Sequence, residues 1–436
     1  MFQTYEEALN WIHGRLRLGI KPGLKRMEWM MGRLGHPEKK LHAVHIGGTN
    51  GKGSTVTFLR SILEAAGYSV GTFTSPYIEH FNERISVNGQ PVSDREIIEL
   101  ANKIKPLSDE LDQTELGGPT EFEVITAMSF VYFAEIHPVD FAVYEVGLGG
   151  RFDSTNILNP LISIITNVGL DHISILGDTY AEIAFEKAGI IKEGIPVLTG
   201  TQNREAHTVI EEQAAVKNSP LSTLGSEIRI SSHSKTAKGE KFTVASPFGE
   251  WAGLEVSMIG GHQTMNAALA ASAAGYLIKT GIIKAGEEEI RKGLKDAFWP
   301  GRLEIVSENP LVILDGAHNT EGVASLVQEL QTRFTDKNIH IVFAALKDKP
   351  LDSMISSLEA VADRMTFVSF DFPRAATAGE LAALSKSDKS EAADDWIQFL
   401  DEAIKSVPPG WMMVITGSLY FISEARSRVL ENISEN

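Results

Sequence analysis

The 436-residue chain contains no cysteine, which excludes disulfides, thiolate metal sites and cysteine nucleophiles. Positive charge is also scarce: 40 Lys and Arg stand against 57 Asp and Glu, a formal net charge of −17. An acidic surface repels nucleic acid and anionic lipid, so neither is expected as a partner, and an anionic substrate must meet locally placed cations. No run approaches the roughly 20 apolar residues of a membrane span. The amphipathic, acid-bearing start MFQTYEEALNWIHGRLRLG lacks the apolar core of a secretory signal. Missing too are the Asn-Lys-x-Asp base-reading motif of regulatory GTPases and the Leu-Ser-Gly-Gly signature of transport ATPases. These absences predict a soluble, cytoplasmic protein.

What is present is ordinary globular material, 43% hydrophobic and 22% charged, in a length that suits two domains. Strand-length apolar runs alternate with helix-period segments, the pattern of an α/β protein with a mostly parallel sheet. LHAVHI, SVGTFTS, VDFAVYEVG and LISIITNV read as buried strands, and FEVITAMSFVYFAEI as a helix. From Leu221 to Ser257 the texture changes to short alternating stretches such as KFTVAS and LEVSM, a small antiparallel addition. Phe298-Trp299-Pro300-Gly301-Arg302 then interrupts the helix pattern. The expected organisation is a phosphate-loop domain over 1–297, a hinge at 298–302, and a smaller Rossmann-like α/β domain over 303–436.

Gly47-Gly48-Thr49-Asn50-Gly51-Lys52-Gly53-Ser54-Thr55 follows a strand and opens a helix. Glycines there let backbone N–H groups face an anion, the lysine adds charge and the helix N-terminus adds its dipole. A glycine-rich turn with an exposed lysine is the bland alternative; the strand before and helix after favour a nucleoside triphosphate site. Ser75, Glu145 and His172 each lie at or just past a strand end, where parallel sheets gather ligand-binding groups. Singly, Glu145 reads equally as a solvated acid and His172 as a loop cap; together, beside a phosphate loop, they favour magnesium. Lys187, in AEIAFEKAGIIKEG, reads by residue type as a snorkelling surface lysine. Asp315 ends the strand LVILDG ahead of Ala317-His318-Asn319, as a ribose or base-orienting acid or a simple cap. Arg302 is either a phosphate contact reaching from the hinge or an ordinary hinge arginine.

Together GTNGKGST, FTSPY with FNERISVNG, PTEFE, EVGLGGRFDSTN, LDHISILG, EKAGIIK, GGHQTMNAA, WPGRLE, LDGAHN and ITGSLYF closely resemble the folylpolyglutamate synthases. These include the bifunctional dihydrofolate synthases and belong to the wider muramyl-peptide ligases. The match spans nearly the whole chain and is strongest to Bacillus-like bacterial members. The resemblance implies ATP-dependent amide formation through an acyl phosphate, with L-glutamate as the amine and a folate or dihydropteroate as the acid. It places Thr49, Asn50, Gly51, Lys52, Gly53 and Ser54 around the ATP phosphates, and Asn266, Arg302 and Asp315 on the nucleotide. It implies Ser75, Glu145 and His172 as ligands of Mg2+ (two ions), with a monovalent cation as a further candidate. Lys187 matches a lysine that becomes carbamylated, which reverses the snorkelling reading. Thr120, Phe122 and Asp153 fall where the pteroate or folate would sit, and His318 and Ser418 on the glutamate side. Lys52, Lys187 and His318 are the implied catalytic groups, and a monomer is expected. The segment HGRLRLGIKPGLKRM matches the family's first motif without assignable contacts.

Two rivals remain at this point: a phosphate-loop phosphotransferase using its second domain as a lid, and a nucleotide-binding protein without turnover. The second has no need of Glu145, His172 and Lys187 together.

Overall fold

The computed structural model describes residues 1–19 and 21–434, which fall into two compact units. The first comprises 1–236, 241–257 and 263–297; the second comprises 237–240, 258–262 and 298–436. The first unit holds an eight-stranded sheet: β1 (Ala43–Gly47), β2 (Val70–Phe73), β3 (Ile85–Val87), β4 (Gln90–Pro91), β5 (Phe141–Glu145), β6 (Ile162–Ile165), β7 (Val197–Thr199) and β8 (Leu221–Thr223). Their spatial order is β4-β3-β2-β5-β1-β6-β7-β8. The strands from β2 to β8 in that order run parallel, and only β3 and β4 pair antiparallel at one edge. Every residue of β1, β2, β5, β6 and β7 is buried, as a parallel sheet covered by helices on both faces requires.

The connections explain where a site forms. From β1 the chain crosses β5 to reach β2, whereas from β5 it crosses β1 to reach β6. The ends of β1 therefore lie at a topological switch point, where the outgoing loops part and leave a crevice. Local chemistry fixes the helices around it. Thr120 and Thr179 each cap a helix in a reciprocal box with Glu123 and Glu182, satisfying first-turn amides. The helix Gly261–Lys279 is buried nearly all round by alanines and other small residues, and so admits close neighbours. Downstream of β8, three strands, β9 (Arg229–Thr236), β10 (Gly239–Ser246) and β11 (Gly249–Val256), form a separate sheet in the order β11-β10-β9. Two-residue connections make them antiparallel hairpins. The sequence texture began this addition at Leu221, but Leu221–Thr223 instead closes the main sheet in parallel with β7.

The second unit is a six-stranded sheet of β12 (Glu304–Glu308), β13 (Leu311–Asp315), β14 (Asn338–Phe343), β15 (Arg364–Val368), β16 (Ser390–Ala393) and β17 (Trp411–Thr416). Its order is β12-β13-β17-β14-β15-β16, parallel except for β12. Side-chain alternation divides its core cleanly. Ile313, Ile341, Phe343, Phe367, Met412 and Val414 pack on one face, and Val312, Leu314, Val342, Val368, Met413 and Ile415 on the other. No helix among the described residues is long and apolar enough to cross a membrane.

Close packing behind the phosphate-loop helix Lys52–Ala65 has a checkable consequence. A Cβ on Gly293, in the helix Glu287–Asp296, would fall 2.5 Å from the Ile62 amide nitrogen and 2.6 Å from the Ser61 carbonyl oxygen. Backbone cannot yield as a side chain can, so Gly293→Ala should destabilise the protein by about 1–3 kcal/mol. Chemical denaturation reads this directly; an unchanged midpoint would show that these helices separate without cost.

Candidate active site

The phosphate loop is built by two unusual backbone positions. Gly48 has φ 142° and Gly51 has φ 82°, values that side chains other than glycine adopt only with strain. A Cβ at Gly48 would collide with Thr166 Oγ1, and one at Gly51 with the Asn266 side-chain amide. Gly51 then caps the helix Lys52–Ala65, whose first-turn amides have no intrahelical acceptor. Lys52 Nζ donates to the carbonyls of Gly48 and Thr49 at 3.1 Å each, folding back over its own loop. It also stands 4.0 Å from Glu145 Oε1.

Glu145 ends β5 and is buried, and its Oε2 accepts the Ser75 N–H at 3.3 Å. Ser75 and Glu145 thus meet because β2 and β5 are sheet neighbours. His172 is placed differently. It is solvent-exposed, has left-handed backbone (φ 52°) and caps the short helix Ile173–Leu176. Among the described residues no three His, Asp or Glu side chains converge on a metal position. A Ser–Glu–His set holds only two such side chains, and the structure brings Ser75 to Glu145 through the serine's backbone N–H.

Lys187 does not snorkel. On the helix Tyr180–Ala188 it is only 4% exposed, and burial holds its pKa down to about 7, with the Lys52 charge adding to the depression and Asp171 opposing it. A substantial fraction of this amine is neutral near pH 7. The loop after Glu145 is docked against the same helix. Arg151 N–H donates to the Glu186 carbonyl at 2.7 Å, and its guanidinium pairs with the Glu186 carboxylate at 2.6 Å. Asn156 Nδ2 reaches the carbonyls of Arg151 and Gly189 at 3.0 Å each.

Asp153 and Phe122 meet at Gly147. Asp153 Oδ2 accepts the Gly147 and Leu148 amides at 3.0 and 2.9 Å, and Oδ1 accepts the Thr155 amide and hydroxyl. Burial pushes the Asp153 carboxyl up, against the pull of these four bonds. The Phe122 ring lies over Gly147, where an added Cβ would come within 2.5 Å of it. Thr120 spends its hydroxyl capping Phe122's helix. The unassigned first motif now finds its contacts on this segment. His13 Nδ1 lies 2.8 Å from Glu121, Arg26 Nε donates to both Glu123 oxygens, and Arg15 and Lys21 donate to the carbonyls of Pro119 and Gly118.

In the second unit, Asp315 at the end of β13 is buried and accepts the Leu303 and Ala317 amides at 2.9 Å each. Burial raises its pKa, opposed first by the Arg302 charge. His318 Nδ1 lies 2.8 Å from the Gly316 carbonyl. Ser418, just past β17, is buried and its Oγ finds no hydrogen-bond partner among the described residues. Because Asp315 and Thr416 are in register on adjacent strands, these groups share one sheet edge.

Sequence reading missed the residues that hold the phosphate loop from behind. Asn167 Oδ1 accepts the amides of Thr49 and Asn50 at 3.2 and 2.8 Å, and Thr166 Oγ1 donates to the Asn50 carbonyl at 2.6 Å. The available signal was position: Thr166 and Asn167 directly follow β6, the neighbour of β1. The Asn50 amide is thereby committed to Asn167, leaving Gly51 to Ser54 to face an anion. Asn167→Ala removes two bonds worth about 1 kcal/mol each, so magnesium-nucleotide affinity should fall about tenfold or more with the fold retained. Calorimetric titration measures it; wild-type affinity would place the loop's order elsewhere.

Residues 46–274 match the Mur ligase middle domain, and 301–419 the Mur ligase glutamate ligase domain. The dihydrofolate synthase/folylpolyglutamate synthase of Bacillus subtilis is 52% identical over 98% of this chain and 100% of its own length. The folylpolyglutamate synthase of Lacticaseibacillus casei is 35% identical over 98% and 99%. The Mycobacterium tuberculosis folylpolyglutamate synthase complexed with ADP superposes with a TM-score of 0.89 at 30% identity, covering 97% and 98%. A phosphate loop, its facing strand-end acid and a buried lysine thus sit in a chain that belongs to the Mur ligases and, within them, to the dihydrofolate synthase/folylpolyglutamate synthase family.

Proposed function

We propose that the protein joins L-glutamate to folates at the expense of ATP, and adds the first glutamate to dihydropteroate as a second activity. The observation that carries this reading is the buried Lys187 feeling the charge of Lys52, itself 4.0 Å from Glu145. A passive nucleotide binder has no need of Glu145, His172 and Lys187 together, and the 52%-identical relative is named for the ligase reaction. The second activity is favoured by the 52%-identical relative, whose name carries both functions.

In this reading the substrate carboxylate attacks the γ-phosphorus of ATP, giving an acyl phosphate and ADP. The glutamate amino group then attacks the acyl carbon and inorganic phosphate leaves. Two anions must meet in the first step, so Lys52 and the first-turn amides from Gly51 to Ser54 neutralise the phosphates. The oxygens of Glu145 and Ser75 suit Mg2+, with His172 as the loop ligand; when bound, the ion supplies charge neutralisation on the triphosphate. Lys187 carries a carbamate: its neutral amine adds carbon dioxide, forming an N–C bond and releasing a proton. A repelling ammonium becomes an anion beside Lys52. Phe122 and Asp153, joined at Gly147, form the wall for the pteroate moiety, with Thr120 fixing the helix that carries Phe122.

Asn266 in the first unit is proposed as a nucleotide contact, as are Arg302 and Asp315 in the second, and residues 298–302 as the hinge. His318 and Ser418 are proposed on glutamate, the unpaired Ser418 hydroxyl being a donor in need of an acceptor. The net charge of −17 supports small-molecule substrates rather than nucleic acid or membrane partners; the proposal includes a monomer working in the cytoplasm.

The deciding assay supplies purified protein with ATP, magnesium, L-glutamate and either tetrahydrofolate or dihydropteroate, and follows glutamate incorporation and ADP. ATP-dependent incorporation is expected; ADP release without it would favour the phosphotransferase. Lys52→Ala should cut kcat by about 100-fold or more while the unfolding midpoint stays put. An active, folded variant would remove the phosphate loop from the reaction. Lys187→Arg should be nearly inactive because a guanidinium forms no carbamate. Protein stripped of carbon dioxide should regain activity on adding bicarbonate, faster as pH rises through about 7, where the amine loses its proton. Full activity of the arginine variant, or indifference to bicarbonate, would return Lys187 to an unmodified role.

A further inference from the structure

One buried histidine lies outside the machinery described so far. His45, in the middle of β1, is completely buried between Tyr144 of β5 and Ser163 of β6 in the ladder. Its Nε2 lies 2.8 Å from Thr155 Oγ1. The Thr155 hydroxyl in turn donates to Asp153 Oδ1 at 2.5 Å. A hydroxyl has one proton, and here it is committed to the carboxylate. The contact with His45 therefore requires the imidazole proton on Nε2, with Thr155 accepting. That leaves Nδ1 as a bare acceptor, buried with no partner among the described residues. An apolar strand residue would avoid this unsatisfied atom, so the imidazole is a costly choice for mere filling.

The far end of the chain of bonds shows what the imidazole holds. Asp153 gathers the Gly147 and Leu148 amides, and the same loop is tied by Asn156 to the Gly189 carbonyl just past Lys187. Gly150 sits where an added Cβ would be 2.9 Å from the Glu186 and Lys187 carbonyl oxygens. The loop from Gly147 to Asn156 is thus one piece running from the Phe122 wall to the Lys187 helix. His45 is its link to β1, two residues before Gly47 of the phosphate loop. Lys192 lies on the same side, donating to the Asn156 carbonyl at 2.7 Å. Burial, with the Lys192 charge, holds the imidazole pKa down to about 3, so it stays neutral at working pH.

We propose that His45 is a positioning residue of the ligase reaction: through its Nε2 donor to Thr155 it fixes the Gly147–Asn156 loop, and so sets the wall that receives the pteroate end of the substrate. This rests on the folate-ligase reading given above. It predicts a selective defect in folate binding, leaving the phosphate loop intact.

Side-chain geometry supplies the test. A glutamine amide can place its Nε2 where the imidazole Nε2 stands, whereas an asparagine amide falls nearer Nδ1. His45→Gln should keep the folate KM within about threefold of wild type, whereas His45→Asn and His45→Leu should raise it about tenfold, the cost of one lost bond. The ATP KM should stay within about twofold in all three. Thr155→Val, which also removes the hydroxyl's bond to Asp153, should raise the folate KM at least as much as His45→Leu, and the double variant should be no worse than Thr155→Val alone, since His45 acts only through that hydroxyl. Nitrogen-15 NMR of histidine-labelled wild-type protein should show the His45 proton on Nε2, a readout independent of turnover and of variants that fail to fold. A proton on Nδ1, glutamine no better than asparagine, an ATP KM rising in step, or multiplying defects would each overturn the proposal. Wild-type protein without ligase activity, but with the Nε2 proton in place, would instead sink the functional reading and leave the bond standing.

Discussion

The burial of the Lys187 amine, 4% exposed and facing the charge of Lys52, is the constraint on which the rest of the site depends. Two ammonium groups in one desolvated region repel each other and whatever cation is brought there, so the arrangement persists only if one gives up its charge. Lys52 donates to the Gly48 and Thr49 carbonyls and stands 4.0 Å from Glu145. Lys187 is buried near the Lys52 charge, and its pKa falls to about 7. In the proposed reaction Lys52 is the phosphate counter-charge and Lys187 the nucleophilic amine open to carbon dioxide. A proposed carbamate resolves the repulsion by inverting one sign.

Around that pair, the molecule spends its close contacts on holding loops still. The phosphate loop is braced from β6 by Thr166 and Asn167, and the Gly147–Asn156 loop is pinned at Asp153, Thr155 and Asn156. Glycines sit where other atoms intrude: Gly48 against Thr166, Gly51 against Asn266, Gly147 against Phe122 and Gly150 against the Lys187 helix. Both loops leave the same edge of one parallel sheet, so strand spacing sets the distance between phosphate counter-charge and acid wall. Preorganisation of this kind suits a reaction whose intermediate, an acyl phosphate, is lost to any stray water.

Legibility in the sequence followed the physics of each element. GTNGKGST was readable because glycines in sequence report backbone directly, and strand ends such as Glu145 because buried parallel strands are continuous apolar runs. Lys187 was not, since a helix pattern names a face but not what covers it; residue type pointed outward and the packing points inward. Asp153 and Thr120 entered only through the resemblance, and the structure shows both engaged in shaping backbone. His45 vanished inside the apolar run LHAVHI, and Asn167 inside a strand-to-loop junction, because their partners lie more than 100 residues away. The three residues of β8 were too few for a period to show, and were read into the neighbouring hairpins. Resemblance supplied roles for residues whose local sequence was silent, notably Lys187, Arg302 and Ser418.

The central claim is that a folate carboxylate is activated by phosphoryl transfer before glutamate attacks it. Oxygen-18 in the terminal carboxylate of the folate or dihydropteroate substrate tests this directly. During turnover with ATP, magnesium and L-glutamate, one labelled oxygen should appear in each inorganic phosphate released, because the carboxylate oxygen becomes the bridge of the acyl phosphate and departs with phosphorus. Phosphate free of label, formed alongside glutamylated product, would contradict it.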